Sequence, residues 1–218
     1  LFSGEKIMVA TLDELSTEDL SLLLNGFPLF SQAFWGPSED WCEEMQQAAT
    51  TRELEKLGEL AGGNDAAHVM AGYLKAFGDF QQACEILEEA YVRLFISHRG
   101  GITASLHHSA YESESGRLMG RPVKMMETRL KASGLALPEE GSVPADHLAV
   151  EVEYLTLLLE GAFEEGGEDL LAAARDFART ELMPWLEKLT KRLQTETECP
   201  FYPAVARLLL AMVSLMAG

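Results

Sequence analysis

Several classes of function are ruled out by what this sequence lacks. No glycine-rich phosphate loop is present: Gly62-Gly63 and Gly100-Gly101 stand outside any GK[ST] or GxGxxG context. GxSxG and HExxH are missing too, so nothing in the sequence argues positively for an enzyme. Cysteine is scarce. Cys42, Cys84 and Cys199 are scattered without CxxC spacing. Metal-type spacing is therefore absent, and an odd count excludes a complete disulfide framework. Reduced thiols in a cytoplasmic protein are the expectation. Cations are few, 17 Lys plus Arg against 35 Asp plus Glu, for a formal charge of -18. Such a balance disfavours nucleic acid and anionic membrane surfaces and favours a basic partner. The most apolar segment, Ala204 to Met216, is too short to span a bilayer and carries Arg207, so it reads as a buried helix. Leu1 to Ala10 has neither the basic leader nor the sustained apolar core of a secretory signal.

Alternating apolar patterns, fixed-period repeats and low-complexity tracts are also missing. Helical periodicity is present instead, which makes the fold class all-α. The 218 residues suffice for one domain or two closely packed halves with a substantial core. Ser16-Thr17-Glu18-Asp19 is a helix-start signal ahead of Leu20, Leu23, Leu24, Phe27 and Phe30. Gly26 and Pro28 are expected to bend or interrupt that helix. Ser38 and Asn64 are expected to cap further helices, and Phe80 to Ser97 carries one wide apolar face. The stretch 98–121 has no sustained periodicity, which points to function or mobility. Pro122 to Ser133 is a helix closed by Gly134, and an acidic linker follows at 135–143. Asp169 to Gln194 is long with Pro184 inside, so a kink near Leu182 or two abutting helices are expected. The expected organisation is a disordered or added start at 1–10, an N-terminal helical part at 11–134, a hinge at 135–143 and a C-terminal helical part at 144–218.

The stretch PADHLAVEVEYL from Pro144 to Leu155 is the most informative. Leu148, Val152, Leu155, Leu159 and Phe163 recur at helical steps and form one apolar stripe. Asp146, His147 and Glu151 fall off it, near the positive end of the helix dipole, with His147 and Glu151 on one face. From Ala132 to Ala174 there is no Lys or Arg at all, while ten Asp or Glu residues fall inside. That segment is either a solvated acidic face or a landing zone for a cationic peptide. His107 and His108 on the loop, with Asp146, His147 and Glu151, leave open a Zn²⁺ site or a metal-dependent or nucleotide hydrolase, although no spacing demands one. A helical adaptor is a further alternative.

Separate stretches, in order, resemble one family. Tyr91-Val92-Arg93-Leu94-Phe95 is similar to a YxxLF element, Tyr111-Glu112-Ser113 to a (Y/W)ES loop and Leu118-Met119-Gly120-Arg121-Pro122 to an LMGxP segment. Ser133-Gly134-Leu135 matches a GL helix end, Pro144-Ala145-Asp146-His147-Leu148 a PxDHL hinge motif, Leu182-Met183-Pro184-Trp185-Leu186 an LxPWL element and Phe201-Tyr202 an FY helix opening. Together they resemble the TorD/DmsD/NarJ-like cytoplasmic chaperones that mature molybdenum oxidoreductases, with most likeness to the TorD branch. The sequence departs from the family at Ser142, where an acid is usual, and at His107-His108. The resemblance implies an all-helical, non-catalytic protein whose two parts join through Pro144, Ala145, Asp146 and His147. It implies no metal and no cofactor. The partner it implies is the twin-arginine signal peptide and precursor of a molybdoenzyme, bound by a monomer or a domain-swapped homodimer. On this resemblance Asp146 and Glu151 contact the basic part of the signal, His147 shapes the site, and Tyr111 and Glu112 line it from the loop.

Overall fold

A computed structural model describes residues 15–97, 101–112, 120–135, 143–165 and 167–218. The expected disordered or added start at 1–10 and most of the expected hinge 135–143 lie outside them, as do Ser113, Leu118 and Met119. Among the described residues there is no strand, only one isolated bridge between His107 and His147.

Helix α1 spans Thr17–Trp35. Ser16 and Asp19 form a reciprocal capping box at its start, satisfying two orphan amide donors. The helix runs through Gly26 and Pro28 without a break, contrary to expectation. Tertiary packing explains this: Phe27, Phe30 and Phe34 are wholly buried around the proline, and a Cβ at Gly26 would lie only 2.7 Å from Leu57 of the helix at Ala48–Ala61. Glycine is what lets the two helices approach that closely. Helices α2 (Glu39–Gln46), α3 (Ala48–Ala61) and α4 (Asn64–Lys75) follow. Ser38 caps α2 through the Trp41 amide, whereas Asn64 is the first residue of α4 and Gly63 its cap.

Helix α5 (Phe80–Tyr91) continues into a π turn at Val92–Ile96. Its packing on α2 brings together two cysteines distant in sequence. Cys42 and Cys84, with Cα atoms 5.6 Å apart, form a disulfide, and Cys199 is free and buried. The expectation of three reduced thiols is therefore corrected. An odd count excludes full pairing but does not exclude one bridge, and the contact that makes it is non-local.

Short α6 (Ser109–Glu112) and α7 (Arg121–Ala132) lead to α8 (Leu148–Glu165). The segment from Glu168 to Leu193 is two helices around a π turn: α9 (Glu168–Phe177), Ala178–Leu182, then α10 (Met183–Leu193). The expected break sits where Pro184 removes an amide donor. Helix α11 (Phe201–Ala217) is nearly enveloped, with only Arg207 and Ser214 exposed within it. It packs against α3, α4, α9 and α10. Helix α1 lies along α8. The two run antiparallel, since Trp35 meets Glu153 while Thr17 and Leu20 share a small apolar pocket with Phe163.

Candidate functional site

The loop at 101–112 and the segment 143–148 are laced together by backbone. His108 N donates to Asp146 O at 2.9 Å and Leu148 N to Leu106 O at 2.8 Å, flanking the His107–His147 bridge. The Asp146 carboxylate accepts from Ser109 N at 2.8 Å and faces His107 Nδ1 at 3.4 Å. Burial by itself raises this carboxyl, but the neighbouring His107 and the Ser109 amide outweigh it and hold Asp146 below its usual value. Helix α8 begins at Leu148, so Asp146 and His147 precede the helix rather than occupying its first turn.

His147 is held by its neighbours. Its ring stacks on Trp35 with centroids 5.0 Å apart, and Nδ1 accepts from Ala149 N at 3.3 Å. Burial, reinforced by His107, pushes its pKa down to about 4, so it is neutral near pH 7. Glu151 is wholly buried. Trp185 Nε1 of α10 donates to it at 2.8 Å, and His108 Nδ1 lies 3.2 Å from its other oxygen. His108 in turn stacks on Trp185 at 5.4 Å. Burial raises the Glu151 carboxyl more than these partners lower it. The reading of Asp146, His147 and Glu151 as off the packing surface is corrected here. All three are buried, because the loop folds over the face that the helical stripe leaves uncovered.

Tyr111 is buried too. Its hydroxyl donates to Ser105 O at 2.7 Å, its ring lies 4.4 Å from the Arg192 guanidinium carbon, and burial pushes its pKa up to about 12. Lys188 Nζ donates to its carbonyl at 3.2 Å. Glu112, more open, pairs with Arg121, whose Nε donates at 2.9 Å. The structure thus gathers Tyr111, Asp146, His147 and Glu151 at one junction, with Glu112 at its edge. His107, His108 and Trp185 complete it. No group of three His, Cys, Asp or Glu side chains suited to a metal occurs among the described residues.

Beside the junction lies a groove of about 630 Å³ between α1, α8 and the end of α7. Pro28, Trp35, Leu130, Leu135, Val150 and Leu157 give it an apolar lining. Two acids, Glu153 and Glu160, stand on its α8 wall. Neither has a cation within ion-pair distance among the described residues. Trp35 joins groove to junction, with its ring on His147 and its Nε1 donating to Glu153 Oε1 at 2.6 Å. Sequence reasoning missed Trp35 as a site residue. An aromatic at a helix end gives no signal of which distant helix it meets.

The described residues form an all-α fold with an apolar, acid-walled cleft. Residues 43–191 match the family model of the nitrate reductase delta subunit, and the chain belongs to that family. It is 35% identical over 182 residues to "Chaperone protein TorD" of Vibrio parahaemolyticus, covering 82% of this chain and 84% of the relative. A TorD chaperone of Shewanella amazonensis is 27% identical over 190 residues, with coverage of 84% and 77%. Among solved structures, a putative redox enzyme maturation protein from Archaeoglobus fulgidus superposes with a TM-score of 0.51 at 22% identity, covering 86% of this chain and 91% of the other. That likeness shows the shared fold.

Proposed function

We propose that this protein is a cytoplasmic, non-catalytic chaperone for a molybdenum-containing oxidoreductase. It holds the twin-arginine signal peptide of the precursor, and part of the precursor body, until cofactor is inserted and export can proceed. The observation that carries this reading is the groove: an apolar cleft with two acids that have no cation partner among the described residues, adjoining the Pro144–His147 motif. A signal of paired arginines followed by an apolar stretch has the complementary chemistry. The TorD names of the relatives support the maturation role.

In this reading Asp146, His147 and Glu151 act by fixing the junction that supports Trp35, and Pro144 to His147 serve as the hinge. Tyr111 and Glu112 border the peptide from the loop. The test is capture of a molybdoenzyme precursor by the immobilised protein, comparing the precursor with and without its leader. Retention that depends on the leader is the expected result, and equal retention of both forms would refute the signal-binding role. The double variant Asp146→Ala, His147→Ala is expected to weaken leader binding while its circular dichroism stays helical. Undiminished affinity would remove these two residues from the site.

A further inference from the structure

The acid on the groove wall is already oriented. Trp35 Nε1 donates to Glu153 Oε1 at 2.6 Å and Ser31 Oγ donates to the same oxygen at 2.9 Å. Oε2 has no donor among the described residues. Both donors are neutral, so the carboxylate is fixed in direction while no cation among the described residues cancels its charge. A side chain ordered in advance loses less freedom when a ligand arrives. We infer that Glu153 is the seat for one guanidinium of the incoming peptide and sets the preference of the groove for arginine over lysine.

The inference rests on the signal-binding reading above and assigns one of its contacts. A guanidinium is planar and weakly hydrated, and it offers converging N–H pairs that Oε2 can accept while the plane lies against an aromatic ring. Trp35 supplies that ring at the same place, about a third exposed. A lysine ammonium is a compact, strongly hydrated point charge and gains neither the paired donation nor the stacking. The imidazole against the indole, His147, is uncharged near neutral pH, so no fixed positive charge competes for the seat. Glu160 is two helical turns further along α8, roughly 10 Å, where the same wall offers a second carboxylate. Pro28, Val150 and Leu157 form the apolar surface for the residues that follow the arginines.

The test uses isothermal titration calorimetry of the full chain with two synthetic peptides. One carries two adjacent arginines before an alanine and leucine stretch, and the other has both arginines replaced by lysine. Wild type is expected to prefer the arginine peptide. Glu153→Gln keeps the size of the side chain at an exposed position, so the fold is retained. It should lose about tenfold in affinity for the arginine peptide and little for the lysine one, which collapses the preference. Trp35→Phe keeps a ring but loses the donor, and should reduce the preference about threefold. A preference that persists in Glu153→Gln, or is absent in wild type while both peptides bind, overturns the seat and leaves signal binding standing. Failure of wild type to bind either peptide overturns both.

Discussion

Single residues at the junction have opposite pH signatures. Burial holds the folded pKa of His147 near 4, against 6.5 for an ordinary histidine. The folded state therefore binds fewer protons in that window, and stability rises with pH through it. Acidification from 6.5 to about 4 removes a contribution of order 3 kcal/mol. Asp146, whose pKa is lowered, likewise contributes above its ordinary value of 3.8 and loses that contribution in stronger acid. Glu151, whose pKa is raised, acts the other way: its contribution falls as pH rises from 4.5 through its folded pKa. Thermal melts of wild type and His147→Gln across pH 4 to 6.5 are expected to converge towards the acid end; parallel curves would mean that the His147 ring is not buried as described. Trp185→Phe deletes the indole donor to the buried Glu151 carboxylate and should cost about 1–3 kcal/mol in urea unfolding. Asp146 and His147 stood out in the sequence. Their burial did not, because it depends on a loop almost forty residues earlier that shows no periodicity.

Helices were the most legible elements. Capping at Ser16 and Ser38, the stop at Gly134 and the break at Pro184 all sit where local chemistry put them. Ser16→Ala is accordingly expected to cost about 1 kcal/mol by loss of the capping box, read in the same denaturation assay. What local chemistry could not reveal was contact between elements. Gly26 and Pro28 carry a breaking signal, yet burial of α1 against α3 and α8 overrides it. The pairing of Cys42 with Cys84 arises in the same way, from α2 lying on α5. Thiol titration of denatured, unreduced protein should give one free thiol per chain, that of Cys199; a count of three would return the pair to the reduced state.

At the scale of the whole molecule, charge and topology set how a partner meets this protein. With a formal charge of -18, association with a cationic peptide should be steered electrostatically. Stopped-flow association rates should then fall steeply as salt shortens the screening length to about 10 Å near 0.1 M, while dissociation changes much less. A salt-insensitive rate would assign binding to the apolar lining alone. The acidic segment around α8 was plain in the sequence, but a groove needs two walls, and its other wall, α1, gave no hint of the pairing. Those walls are separated by more than a hundred residues of chain, and α11 packs against α1. Synthesis proceeds from the N-terminus at roughly 5–20 residues per second, so Trp35 leaves the ribosome several seconds before Glu153 does. A nascent chain thus has no cleft to offer, and the ability to engage a precursor is itself a signal that folding has finished.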